Sequence, residues 1–110
     1  MKQDLVTIEG FHDFIVSHDL AVIHVMRDRC SVCQAVLPQI EGLVNDFPQV
    51  ALGVINQSHL EAIASELSIY TAPVDLIYLK GKEIHRQGRF IDMQQFEYEL
   101  ERLTHRGNYL

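Results

Sequence analysis

A chain of 110 residues with 47% hydrophobic content can enclose one core and is too short for two, so residues 1–110 are expected to form a single domain. A formal net charge of −6 argues against nucleic acid as a partner, because phosphate binding needs a basic face. The opening Met1-Lys2-Gln3-Asp4 lacks the apolar run of a signal peptide and no stretch approaches membrane-spanning length, so no membrane partner and a cytoplasmic location are expected.

Leu5-Val6-Thr7-Ile8 reads as a short first strand, and Phe11, Phe14 and Ile15 mark one face of a helix ending near His18-Asp19. Leu20 to Met26 is apolar on both faces, as in a central strand covered by helices. Val36, Leu37, Ile40, Leu43, Val44 and Phe47 then recur at helical spacing, with Pro38 inside the helix as a source of a kink. Val50 to Ile55 reads as another short strand. Ser58-His59-Leu60-Glu61 fits a capping box that opens a helix with Leu60, Ile63, Ala64 and Leu67 inward. After Thr71-Ala72-Pro73 come a strand over Val74–Leu79, a turn at Lys80-Gly81-Lys82, and a hairpin partner over Glu83–Gln87. Asp92 is placed to cap a last helix whose buried stripe is Met93, Phe96, Leu100 and Leu103. Gly107 lies beyond that helix, and Arg102, His105 and Arg106 suit its negative pole. The order β-α-β-α-β-α-β-β-α implies an α/β fold around a central mixed sheet, with helices on both faces.

Both cysteines fall in Cys30-Ser31-Val32-Cys33, where the central strand hands over to a helix. Unpaired N–H groups and the positive end of the helix dipole stabilise a thiolate at that place. Two intervening residues let Cys33 fold back to Cys30, so a disulfide can form and break without rebuilding the chain. Cys30 is expected to be the more exposed and acidic thiol, Cys33 the buried one. In a reducing cytosol a lone CxxC points to redox or metal chemistry rather than a structural staple. A zinc site would need further ligands from His12, His18, His24, His59, His85 and His105, none of which shows a paired zinc spacing, so no metal is expected.

With these residues in view the chain resembles the thioredoxin family over nearly its whole length. The strand–CxxC–helix junction, Pro38, the Ala72-Pro73 pair, Gly81 and Gly88 carry the resemblance. It implies the thioredoxin fold and thiol–disulfide exchange, with Cys30 attacking and Cys33 resolving. The only redox group would be the reversible Cys30–Cys33 disulfide, with no other cofactor. It further implies a cis Pro73 near the sulfurs, and Ala72 pairing with an extended substrate segment beside Arg29, Ser31 and Val32. Disulfide-containing proteins are the implied substrates, reduction the favoured direction, a monomer the expected state, and a thioredoxin reductase a candidate recycling partner. The rival expectation is a non-catalytic interaction module using the Pro73 loop groove.

Departures from the family pattern cluster at the motif. Arg29 stands where a tryptophan is usual, and Ser31-Val32 replaces Gly-Pro. His24 takes the place of a buried acid, and Val54 that of its lysine. His24 is either a core histidine bonded to backbone or a proton acceptor for Cys33. Arg27 and Arg29 are either solvated loop charges or groups that favour the Cys30 thiolate and steer an acidic substrate. With the acid gone and Arg29 gained, the couple is expected to be more oxidising than an ordinary thioredoxin.

Overall fold

The computed structural model describes residues 2–104. Its elements in chain order are β1 (Lys2–Asp4), α1 (Ile8–Ser17), β2 (Leu20–Met26), α2 (Ser31–Val44) and β3 (Ala51–Asn56). A 3-10 turn (Gln57–His59), α3 (Ala62–Leu67), β4 (Val74–Leu79), β5 (Lys82–Gly88) and α4 (Met93–Thr104) follow. The strands form one mixed sheet in the order β1-β3-β2-β4-β5. β1 and β2 both run parallel to β3, while β4 is antiparallel to β2 and β5.

β2 and β4 are apolar on both faces because helices cover each side. On one side Phe11, Phe14 and Ile15 of α1 and Ile63 of α3 pack on Ile23, Val25 and Leu76. On the other, Val36 and Ile40 of α2 and Phe96 and Leu100 of α4 pack on Val22 and Ile77. Asp92 caps α4 as its position suggests, its Oδ1 accepting from the Gln95 N–H at 3.1 Å. α2 runs unbroken through Pro38, whose missing N–H leaves the Gln34 carbonyl without its helical donor. Gly107, His105 and Arg106 lie outside the described residues.

Two expectations need correction. The first strand is Lys2–Asp4, not Leu5–Ile8. It is exposed along its length and held by backbone pairing to β3, so it has no apolar signature. Leu5 is buried next to it, and Thr7 instead caps α1, its hydroxyl accepting from the Gly10 N–H at 2.9 Å. Ser58 caps no helix. Its hydroxyl accepts from the Asp28 N–H, while Asn56 accepts from the Ser58 N–H and closes the 3-10 turn. α3 begins only at Ala62, without a side-chain cap.

Candidate functional site

The last residues of β2 run into a loop that Asp28 fixes. Its Oδ1 accepts from Asn56 Nδ2 at 2.9 Å and its Oδ2 lies 3.3 Å from His59 Nε2, so the carboxylate faces β3. Arg29 follows with φ 57°, a left-handed conformation uncommon for a residue bearing a side chain. Cys30 is then the N-cap of α2. The Cys33 N–H donates to Cys30 Sγ at 3.1 Å, and the two cysteines form a disulfide across a Cα–Cα distance of 5.2 Å. Cys30 is half-buried and Cys33 is fully buried, the asymmetry their order in the helix suggests. A sulfur at this N-cap meets an N–H donor and the positive end of the helix dipole, both of which favour its thiolate.

Cys30 opens onto a groove of about 390 Å³. Arg29, Ser31 and Val32, the chain neighbours of Cys30, line it together with Thr71 and Ala72 from the loop before Pro73. The Ala72-Pro73 peptide is cis, and Pro73 is buried behind Ala72. The structure therefore gathers Arg29, Cys30, Ser31, Val32 and Ala72 at one surface and keeps Cys33, Pro73 and His24 beneath it. Four further lining residues, Tyr70, Thr71, Arg89 and Phe90, escape the sequence reading. Phe90 carried a usable signal: it is a large apolar residue between Gly88 and the Asp92 cap, where no helical or strand period gives it a core position.

His24 is not bonded to backbone. Its Nδ1 lies 2.6 Å from Oδ1 of Asp75, which sits directly opposite in the β2–β4 ladder, and both residues are 0% exposed. His24 Nε2 and Asp75 Oδ2 have no hydrogen-bond partner among the described residues. Burial pushes the Asp75 carboxyl above the ordinary carboxylate range, and the bond to His24 opposes that shift without cancelling it. Val54 lies on the other flank of His24, in β3. The expectation that the site has lost its buried acid is thus overturned: an acid is present one strand away, on β4. His24 shares the sheet face of Leu20 and Val22, on which Val36 and Ile40 of α2 pack. Cys33 lies one helical turn before Val36 on that buried side.

Among the described residues no three His, Cys, Asp or Glu side chains converge as a metal site would require, and no helix is long and apolar enough to cross a membrane.

The family model described as thioredoxin matches residues 3–101. The thioredoxin-like protein YdfQ of Bacillus subtilis is 38% identical over 99 residues, spanning 90% of this chain and 86% of that protein. A thioredoxin of Chlamydia caviae is 27% identical over 82 residues, spanning 74% of this chain and 79% of its own length. Among solved structures, a mutant thioredoxin from Halobacterium salinarum superposes with a TM-score of 0.85 at 18% identity, covering 94% of this chain and 90% of its own. Fasciola hepatica thioredoxin does so with a TM-score of 0.80 at 21% identity, covering 90% of this chain and 97% of its own. At such identities these two likenesses speak to the fold alone.

Proposed function

The chain belongs to the thioredoxin family and carries its redox-capable cysteine pair, a thiol–disulfide oxidoreductase site, and we propose that it works as a protein-disulfide reductase. The carrying observation is the Cys30–Cys33 disulfide at the N-terminus of α2, with the half-buried Cys30 at the groove and its sulfur bonded to the Cys33 N–H.

In the reduced protein Cys30 thiolate attacks one sulfur of a substrate disulfide. The substrate S–S bond breaks, its departing sulfur leaves as thiolate and takes a proton, and a Cys30–substrate mixed disulfide remains. Cys33 then loses its proton to the His24–Asp75 pair and attacks Cys30 Sγ. The second substrate sulfur departs as thiolate and takes up the proton that Cys33 gave up, and two electrons have passed from the dithiol to the substrate. Ala72 holds the extended substrate segment, with Pro73 behind it, while Arg29, Ser31 and Val32 line the approach to Cys30. Re-reduction of the Cys30–Cys33 disulfide needs an external dithiol donor, for which a thioredoxin reductase is the natural class. A lone CxxC that must cycle through its dithiol form suits a reducing compartment such as the cytoplasm.

Turnover of a disulfide-bridged protein substrate with a reductant, compared with Cys30→Ser and Cys33→Ser, tests this. Cys30→Ser should abolish turnover, and Cys33→Ser should accumulate a mixed disulfide at Cys30. A wild-type protein that binds its substrates but never exchanges a disulfide would instead support a non-catalytic interaction module.

A further inference from the structure

We propose that the groove beside Cys30 selects disulfides borne on an extended, acidic polypeptide segment, with Arg27, Arg29 and Arg89 setting that preference. This rests on the reductase reading and adds its substrate class.

The charge distribution carries the proposal. The chain is acidic overall, with a formal net charge of −6, yet no carboxylate lines the groove and three arginines do. Arg86 and Arg102 are paired with Glu83 and Glu99 at 2.8 and 2.7 Å. Among the described residues, the arginines left without a carboxylate within 4.0 Å are Arg27, Arg29 and Arg89. Asp28, between two of them in sequence, is turned to Asn56 and His59 instead. Unpaired guanidinium groups around one cavity are a site for carboxylates, which they hold by charge-assisted and often bidentate bonds.

Backbone conformation strengthens the case. Arg29 and Arg89 have φ of 57° and 69°, in the region that glycine enters without cost and other residues enter under strain. Of the four described non-glycine residues with positive φ, Ser68 ends α3 and Lys80 sits in the β4–β5 turn, while Arg29 and Arg89 each hold a cation at the groove.

A polypeptide fits better than a small anion. Tyr70 and Phe90, 84% and 80% exposed, lie on the same groove, and the Arg89 guanidinium sits 5.7 Å from the Phe90 ring centroid. Exposed aromatics beside arginine are the composition of interface anchors. The backbone N–H and C=O groups of Thr71 and Ala72 have no partner among the described residues, so an extended strand can pair with them.

The test uses peptides that share one disulfide and differ only in flanking residues: Asp/Glu, Asn/Gln or Lys. The expected result is a kcat/KM for the acidic peptide about tenfold above the neutral one at low salt, since complementary charge acts mainly on encounter. That ratio should shrink at high salt and fall toward one in the Arg27→Gln/Arg89→Gln variant. Equal rates for acidic and neutral peptides, or a preference for the lysine peptide, would overturn the proposal. Reduction of glutathione disulfide as fast as the acidic peptide would overturn its polypeptide part. Binding of the same peptides to a Cys30→Ser/Cys33→Ser variant separates the two readings. Selective binding of the acidic peptide with no turnover by the wild type defeats the reductase reading and keeps the surface, and unselective binding defeats the surface.

Discussion

His24 and Asp75 face each other across the β2–β4 ladder at 2.6 Å, a hydrogen-bonded pair sealed from solvent in the middle of the sheet. Breaking such a pair from one side strands a polar group in an apolar layer, which costs roughly 3–5 kcal/mol for a buried ion pair, whereas replacing both partners with apolar residues is often neutral. Asp75→Leu and His24→Leu alone should therefore each destabilise strongly. The double variant should recover most of the loss. Urea unfolding of all four proteins measures the coupling, and strict additivity would show that the pair does not act as a unit.

Asp75 also makes stability depend on pH. Burial holds its carboxyl above the ordinary value of 3.8, so over a window opening near that value the folded protein keeps a proton that the unfolded chain has released. The contribution is therefore fully present below the unfolded value and is lost as pH rises through the folded one. The wild type should lose stability relative to Asp75→Asn as pH is raised from about 4 toward neutrality. Urea midpoints of both proteins across that range decide it. A constant gap would mean the carboxyl titrates alike in both states.

The redox potential should lie above the roughly −270 mV of an ordinary thioredoxin. The retained acid on β4 removes one reason for that expectation. Another stays: Cys30 Sγ has the Cys33 N–H at 3.1 Å, and Arg29 beside it has no acidic partner among the described residues. For a two-electron couple a tenfold change in equilibrium is about 30 mV, which sets the scale at a few tens of millivolts. Equilibration with a glutathione buffer gives the value, and Arg29→Trp should lower it. An unmoved potential would assign the poise to the helix terminus and the Ser31-Val32 dipeptide.

Two glycines should respond to alanine with opposite signs. A Cβ at Gly53 in β3 would lie 2.7 Å from Leu5 Cδ1 and 3.0 Å from both Ile23 Cδ1 and Phe14 Cε2, so overpacking should cost about 1–3 kcal/mol. Gly42, exposed in α2, has nothing within 4 Å of its Cβ position, and Gly42→Ala should stabilise by about 0.5–1 kcal/mol. Shifts in denaturation midpoint at unchanged slope would verify both.

Sequence legibility followed burial. β2 and β4 could be read to their end residues because helices cover both their faces and the chain there is almost wholly apolar. β1 could not, since it is three exposed residues specified by backbone pairing alone, whereas the other edge strand, β5, was marked by the turn at Lys80-Gly81-Lys82. Cys30, Ser31, Val32 and Arg29 are contiguous, so one motif exposed them together. Asp75 was hidden as a lone polar residue inside an apolar strand, its role set by antiparallel register with a histidine 51 positions away. Arg89 and Phe90 reach the groove from beyond β5, and only the closed sheet brings them to Cys30.

The Arg86 side chain spans from β5 to the end of α3, donating to the carbonyls of Leu67 and Ser68 at 2.8 and 3.3 Å while gripping Glu83. Those carbonyls would otherwise be loose ends of a helix only six residues long. The chain leaves that point directly for Tyr70, Thr71 and Ala72, so the segment proposed to pair with a substrate is braced from behind by the hairpin. Its conformational entropy is lost once, during folding, and need not be lost again at each encounter. If Ala72 pairs with a substrate as proposed, most of the ordering at each encounter falls to the incoming chain.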